Sequence, residues 1–532
     1  MTDLEAAGMT FIAHADAPLP APPAALASIL GGKGASLALM SAGLGLPVPP
    51  AFTLTLNAFR RWRGEGGLAF LEAELRAAIA RMERTLGRGF GARSRPLVVS
   101  VRSGAPVSMP GMMDTILDLG LNDETEAGLA AEIGAATAAD AHRRFREMFA
   151  RIVGTPPPAE PWSQLRMAIE AVFASWDGER ARTYRRRAGI ADDLGTAATV
   201  QAMVFGNAPG FSGTGVAFTR DPSTGEPQPI GDWLANAQGE DVVAGTHGTQ
   251  PLDALERDAP AIRAELQRVF GVLERQYQDM CDIEFTVESG HLWILQARAG
   301  KRSGRAAVRI AVDRALDPGF ALTREGAVAA VREADLADAL HASVASGADE
   351  ARRLTTGIAA SPGLVCGRVQ FTADDAVEAA MQGDAVILVR RETSPDDIHG
   401  MDAAVGILTA TGGLVSHAAI VAREWGKAAV VGAGALELHD DHLRVGDRIV
   451  RRGEPISIDG TTGAVFVGDV AGAATAPDPA AAMLVEWAAA IAGSAGSDPI
   501  ATLRDAHARL GCDTDSASSR DRTGPGSGRL QP

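Results

Sequence analysis

The sequence is short of cysteine: three residues, Cys281, Cys366 and Cys512, stand far apart in a chain of 532. That spacing offers neither a zinc pattern nor a disulfide framework, and it fits a reducing, cytoplasmic setting. No run of 18 apolar residues occurs, so no membrane span is expected. The start, Met1-Thr-Asp-Leu-Glu, lacks the basic and apolar regions of a secretory leader. No long basic run interrupts a net charge of −16, which argues against nucleic acid as a partner. Internal repeats are missing as well. What is present is a 46% share of hydrophobic residues, enough to bury sizeable cores. At ~100–200 residues per domain the length suggests about three domains.

Patterns along the chain suggest how these are arranged. Residues 1–24 are rich in Ala and Pro and read as a loose N-terminus. From 25 to 340 helical patterns (Ser36–Ala42, Gly67–Leu86) mix with strand-like runs such as Leu97–Arg102 and Val200–Phe205. Within this unit, about 124–195 reads as mostly helical, broken at Pro156–Pro158. A polar, small-residue linker over 341–354 leads to a second α/β unit over 355–470, with short strands at Ala385–Val389, Gly406–Thr409, Ala428–Val431 and Ile456–Ile458. Residues 471–532 read as a linker, a short helix (Ala481–Ala492) and a disordered tail.

Several segments carry chemistry. In Gly31-Gly-Lys33-Gly34 the glycines let backbone approach a phosphate and Lys33 supplies a mobile charge. It is not a Walker A loop, because Gly34 stands where Ser or Thr would be, and a solvated turn lysine before a helix explains the same letters. Arg102, in Ser100-Val-Arg-Ser-Gly104, ends a strand and offers a planar fork for phosphate, or else a surface ion pair. Ser212-Gly213-Thr214-Gly215 reads either as a loop whose N–H groups cover nucleotide phosphates or as a plain hairpin turn.

Asp282–Val287 and Leu292–Arg298 read as a hairpin around Ser289-Gly290. Asp282, Glu284 and Thr286 share one face by alternation, and Ile283, Phe285 and Val287 the other. Regular alternation puts Gln296 and Arg298 on one face with Leu292 and Ile294. Two carboxylates, an amide and a guanidinium on one sheet surface suit Mg²⁺ and phosphate, with an amphipathic surface hairpin as the alternative. Glu284 lies opposite Gln296 only if the loop is odd in length, such as Ser289–His291, or if the hairpin carries a bulge.

Thr411-Gly-Gly-Leu-Val-Ser-His417-Ala-Ala-Ile-Val-Ala-Arg423 sets one histidine at the start of an apolar helical pattern, with Ser416 as the cap. A helix N-terminus favours anions and disfavours imidazolium, which suits a histidine that accepts a phosphoryl group. A single histidine is more often structural.

Together these segments resemble the nucleotide-binding and phosphohistidine parts of the pyruvate, phosphate dikinase family. The matching text includes Ser100-Val-Arg-Ser-Gly-Ala, Ser108-Met-Pro-Gly-Met-Met-Asp-Thr115, Gln201-Ala-Met-Val-Phe-Gly-Asn207, Asn236–Gly245, Asp282-Ile-Glu-Phe-Thr, Glu392-Thr-Ser-Pro395 and Thr411–Gly426, and it runs from about 28 to 470. The resemblance implies an α/β and α+β multidomain protein: an ATP-grasp nucleotide-binding domain with a helical insert, then a swivelling β/β/α domain carrying the phosphohistidine. It implies ATP as substrate, Mg²⁺ as cofactor and inorganic phosphate as cosubstrate. Lys33, Arg102, Asp282, Glu284, Gln296 and Arg298 match the family's ATP and Mg²⁺ site, and His417 matches the histidine that is phosphorylated as ATP and phosphate become AMP and pyrophosphate. Ser212, Gly213, Thr214 and Gly215 stand as further phosphate-binding candidates.

The departures matter. The family's barrel that binds pyruvate and phosphoenolpyruvate needs ~250 residues, and only 62 follow Val470 in this chain of 532. Phosphate transfer beyond His417 is therefore expected to need a separate barrel protein. Val415 replaces the family's regulatory threonine, which excludes a phosphorylation switch there. Thr411 and His247 stand where the family usually has arginine. A homodimer is a candidate assembly. The rival expectations are a non-catalytic nucleotide-binding remnant, or a partial enzyme akin to phosphoenolpyruvate synthase.

Overall fold

The computed structural model describes residues 11–19, 22–107, 109, 112–244, 249–340, 352–414, 416–470, 478–493 and 498–512. Mixed α/β units make up the chain, held by three antiparallel or mixed sheets of five or more strands. The first sheet begins earlier than the loose N-terminus expected over 1–24. Strand β1 (Ile12–His14) pairs antiparallel with β2 (Ala51–Leu54), and helix α1 (Pro23–Ala38) already starts at Pro23. Proline at the first helical position is compatible with a helix start because its missing N–H would be unsatisfied there anyway. The alternation that marks a half-buried strand is too short to read in three residues.

Strands β3 (Val99–Gly104), β4 (Thr115–Leu119) and β5 (Ala197–Ala202) complete this sheet in the order β1-β2-β5-β3-β4. Four helices between 123 and 188, the last being α2 (Glu179–Ala188), fill the region expected to be helical. Their buried Phe145, Phe149, Ile169 and Phe173 pack on one face of the sheet with Val99, Val101, Ala198 and Val200. The other face carries polar residues, including Thr53, Ser100, Thr199 and Gln201, and it is the face on which the site is built.

The second sheet contains β6 (Gly213–Phe218), β7 (Ile230–Ala235), β8 (Cys281–Glu288) and β9 (His291–Ala299), ordered Gln250–Pro251, β7, β6, β8, β9. Ile283, Phe285, Val287, Leu292 and Ile294 are buried against the helix Pro260–Tyr277 and the end of α1. By length and composition Ala25–Gly43 would suffice to cross a membrane, against the expectation from run length. Its Leu26, Leu30, Leu37, Leu39 and Met40 are instead buried in the protein's own cores.

Three helices come next: α3 (Gly304–Leu316), α4 (Arg324–Ala330) and α5 (Glu333–Leu340). The next unit is an eight-stranded sheet ordered Arg353–Thr356, Ala464–Val467, β15, β11, β12, β13, β14, β10, where β10 is Ile358–Ser361, β11 is Leu364–Gln370, β12 is Val386–Arg390, β13 is Gly406–Thr409, β14 is Ala428–Val431 and β15 is Pro455–Asp459. The run β11-β12-β13-β14 is parallel, and β12, β13 and β14 bury apolar residues on both faces, as parallel strands covered on both sides must. Helix α6 (His417–Trp425) lies between β13 and β14.

Over 471–532 the expected short helix is present and a second helix follows it, while the expected tail from 513 onward lies outside the described residues. Helices α7 (Pro479–Ala492) and α8 (Pro499–Leu510) return to α3–α5 and share one core with them: Val308, Val312, Val328, Leu336, Leu484, Trp487 and Leu503. The buried face of α8 is Thr502, Leu503, Ala506 and His507, of which only Leu503 is large and apolar. The amphipathic signal is therefore faint, and polar contacts replace it: His507 Nε2 lies 2.9 Å from the Val328 carbonyl and Arg504 pairs with Glu333. Residues 341–351 and 471–477, which hold most of the expected linkers, lie outside the described residues.

Candidate functional site

The site starts from a break in α1. Gly31 sits at φ +65° and ψ 169° inside the helix. An added Cβ there would stand 1.7 Å from the Gly104 carbonyl oxygen, so only glycine lets the helix lie on the end of β3. Gly32 N–H donates to the Ala105 carbonyl at 2.9 Å. The glycine run thus packs helix on sheet, and it sets half-buried Lys33 beside Arg102 of β3. It is part of a helix, not the solvated turn that the same letters allowed.

The β8–β9 hairpin supplies the opposite wall. Its turn is the two-residue Ser289-Gly290, but a bulge shifts the register between Glu284 and Phe285. Phe285 therefore pairs with Ile294, while Glu284 pairs with Gln296 and Asp282 with Arg298. The bulge, not an odd loop, brings the polar residues together. It also overturns the alternation that put Gln296 and Arg298 on the face of Leu292 and Ile294. Those two apolar residues point into the core with Phe285 and Val287, and the extra residue, Leu295, moves Gln296 and Arg298 to the face of Glu284.

Arg102 Nη2 donates to Glu284 Oε2 at 3.0 Å and joins the two sheets. Asp282 Oδ2 accepts from Arg298 Nε at 2.8 Å and lies 2.6 Å from its Nη2. Both carboxylates are thereby committed to arginines. Lys33 makes no hydrogen bond or ion pair among the described residues, and sits with two guanidinium groups. Burial and then Arg102 push its amine down to about 7, against the pull of Glu284 and with a further push from Arg298. Burial alone would raise Glu284, but Arg102, Arg298 and Lys33 hold it below the usual carboxylate range. Asp282 holds Arg298 firmly charged, against the effect of burial. The Gln296 Oε1 and the Arg102 Nε are buried without partners. Arg102 Nε is a spare donor for a phosphate oxygen and Lys33 a cation beyond the two ion pairs, whereas Gln296 Oε1, an acceptor, suits a cation.

Ser212, Gly213, Thr214 and Gly215 are placed otherwise than as a phosphate loop. Gly213–Gly215 belong to β6, a central strand whose backbone groups are spent on ladders with β7 and β8. Thr214 Oγ1 donates to the Phe285 carbonyl, and Ser212 Oγ accepts from Ser289 N–H. The loop before the strand spans 203–212. The glycine spacing alone did not show on which side of the strand boundary it falls.

His417 is the first residue of α6, and Ser416 caps it by accepting from Ala419 N–H, as expected. Thr393 Oγ1 is 3.2 Å from His417 Nδ1. In the tautomer that carries its proton on Nδ1, Thr393 accepts from Nδ1–H and the Nε2 lone pair is free; Nε2 is buried with no partner among the described residues. Burial lowers the imidazole pKa, with Asp397 opposing, so the neutral form is favoured. Among the described residues no three His, Cys, Asp or Glu gather closely enough to hold a metal ion.

The loop before His417 is seated on the second sheet. Leu414 packs with Val216, Phe218 and Val242. Asp232, paired with Val216 across β7 and β6, lies so close to Gly413 that an added Cβ would be 2.3 Å from its Oδ2. Burial raises the Asp232 pKa, with a bond from Thr249 opposing. Arg423, fully buried, donates to the Leu414 and Ala360 carbonyls and stacks over Phe218 at 5.2 Å. Burial pushes Arg423 down to about 10, with Asp282 and Asp221 opposing. Val216 is also the partner of Glu284, so the His417 loop lies over the face that carries the charged cluster. Sequence reasoning missed Asp232, Thr393 and Arg423. Thr393 and Arg423 lie in segments that carry the family resemblance, but their side-chain partners are set by folding. Val415 and His247 lie outside the described residues.

Comparison with known proteins places the sequence among its relatives. Residues 67–268 and 259–317 match the family model for the pyruvate phosphate dikinase AMP/ATP-binding domain. Residues 382–463 match that for the mobile domain of PEP-utilising enzymes. The chain is 43% identical over 517 residues to pyruvate, phosphate dikinase 1, chloroplastic, of Arabidopsis thaliana, covering 87% of this chain and 53% of that protein. It is 44% identical over 492 residues to the chloroplastic dikinase 1 of Zea mays (83% and 52%), and 43% over 491 residues to dikinase 2 of Oryza sativa subsp. japonica (83% and 55%). The chain spans about half the length of the curated relatives it matches.

Proposed function

This chain is a pyruvate, phosphate dikinase-like protein, and on that premise we propose that it catalyses ATP-dependent phosphorylation of His417. The half-reaction is ATP plus inorganic phosphate plus His417 giving AMP, pyrophosphate and phospho-His417. The observation that carries this reading is the seating of the His417 loop, with its unpartnered Nε2, on the sheet face of the Lys33, Arg102, Glu284, Gln296 and Arg298 cluster. We read 25–340 as an ATP-grasp unit and 355–470 as a swivelling phosphohistidine unit.

Lys33, Arg102 and Arg298 bind and neutralise the triphosphate, and Asp282 orients Arg298. This departs from Asp282 as a metal ligand, because its Oδ2 takes two contacts from Arg298, at 2.8 and 2.6 Å, whereas Glu284 takes a single one from Arg102 at 3.0 Å. Mg²⁺ fits beside Glu284 and Gln296: Gln296 Oε1 is an orphan buried acceptor that a cation would satisfy. Mg²⁺ usually takes only one or two side chains plus substrate phosphates, so no protein-only cage is needed. When bound it would neutralise charge developing on the phosphates. Neutral His417 presents Nε2 as nucleophile while Thr393 holds Nδ1–H, and the capped N-terminus of α6 then favours the phosphorylated anion. The phosphoryl acceptor beyond His417 is proposed to be a phosphoenolpyruvate/pyruvate barrel.

The test is incubation with Mg²⁺, phosphate and ATP labelled at the β-phosphate. Acid-labile label on the wild type, lost in His417→Ala, is expected. Nucleotide bound with no label would instead favour a non-catalytic binding protein.

A further inference from the structure

We propose that Glu424 is a docking latch that positions His417, through contacts with two separate elements of the nucleotide-binding half. This rests on the phosphotransfer reading for its purpose, though not for its geometry. Glu424 lies seven residues after His417 on α6, two turns along and on the same helix face. Its Oε1 accepts from the Tyr184 hydroxyl at 2.7 Å and lies 3.1 Å from Lys301 Nζ. Tyr184 belongs to α2 of the helical region, and Lys301 follows β9 of the second sheet. One oxygen thus ties the histidine's helix to two elements that it meets only when docked.

The local environment makes this more than a surface pair. The Glu424 side chain is 17% exposed, and a carboxylate so covered depends on its donors. Exposed pairs such as Arg187 with Asp402, at 51% and 50%, contribute little to the same interface. Next to Glu424, Arg423 fixes the loop that leads into His417 by bonding the Leu414 carbonyl. Glu424 therefore sets how α6 lies against the sheet, and Arg423 sets how the histidine loop lies against α6. The Glu424 charge is only the last of the causes that raise the Arg298 pKa, and Asp282 keeps that guanidinium charged without it. If the unit carrying His417 swings away, all three groups return to water, and the contact reforms only in the phosphate-accepting position.

Tyr184 makes this measurable, because the chain has only two tyrosines and the other, Tyr277, is buried with its hydroxyl on Ser36 and the Ala297 carbonyl. The full chain carrying 3-fluorotyrosine gives two fluorine resonances, and Tyr277 reports whether a variant is folded. Glu424→Ala is expected to shift the Tyr184 resonance towards a solvated tyrosine while Tyr277 stays, with the docked-to-undocked ratio falling about tenfold. Lys301→Met, a milder change, is expected to move it part of the way. ATP affinity should hold in both, while the rate of His417 labelling at saturating ATP falls. Combining Tyr184→Phe with Glu424→Ala should slow labelling no further than Glu424→Ala alone, since both act through one contact. A Tyr184 resonance unmoved in Glu424→Ala, with Tyr277 native, would overturn the latch. The resonances are read without ATP, so a wild type that docks but takes no label refutes the phosphotransfer proposal and leaves the latch standing.

Discussion

Lys33 gives the sharpest quantitative prediction. Its amine sits near 7 because it is buried, with Arg102 and then Arg298 adding to the effect and Glu284 only partly offsetting it. A triphosphate beside it supplies the missing anion and returns the pKa towards the ordinary 10.5. Binding must therefore take up a proton wherever free Lys33 is neutral. At pH 8 the free amine is only about one-tenth protonated, so uptake by Lys33 is about 0.9 proton; at pH 6 it is about 0.1. Affinity follows the same sign: it is full below pH 7 and falls about tenfold per pH unit above it, until the bound-state pKa is reached. For folding alone, the unfolded chain binds more protons between about 7 and 10.5, so this group's contribution to stability rises with pH across that window. The assay is calorimetric titration with ATP at pH 6, 7 and 8, in two buffers of different ionisation enthalpy. ATP's own titration is common to both proteins, so the difference between wild type and Lys33→Met isolates the lysine. Equal uptake by the two at pH 8 would refute the argument.

Three further outcomes rest on packing. Gly413→Ala places a methyl against the Asp232 carboxylate and should block seating of the His417 loop, cutting labelling more than tenfold while calorimetric ATP affinity stays unchanged. Gly31→Ala meets both a positive φ and the Gly104 carbonyl, and should cost at least ~2–3 kcal/mol in denaturant unfolding and disrupt the placement of Lys33. Leu503→Ala, in the core shared by α3–α5, α7 and α8, should cost about 2–5 kcal/mol, seen as a lowered Tm; an exposed tail would lose almost nothing.

The local patterns were legible where one short segment carried enough information. Gly406–Thr409 and Ala428–Val431 form the strands expected of them, because buried parallel strands are continuous apolar runs. Ser416 and the Gly pair marked the start of α6 because a cap needs only its neighbours. The glycines at 213 and 215 were ambiguous because the same residues serve loops and closely packed strands. Helix α8 was missed because its buried face is mostly small or polar and gains its stability from a partner more than 160 residues away.

By itself, then, the sequence determined which residue types lie near which: lysine among glycines, acids alternating on one strand, a capped histidine at a helix start. Those depend on dihedral preferences and on periods of two or 3.6 residues, which a short window contains. Only the tertiary structure decided that a bulge at Leu295 turns Gln296 and Arg298 towards Glu284, that Asp282 is spent on Arg298, and that Gly413, Arg423 and Glu424 seat His417 on that same sheet. Register and ion pairing depend on partners across a strand pair, and docking on groups as far apart as Tyr184 and Glu424, 240 residues; the free energy that selects among them arises only when both sides are buried together.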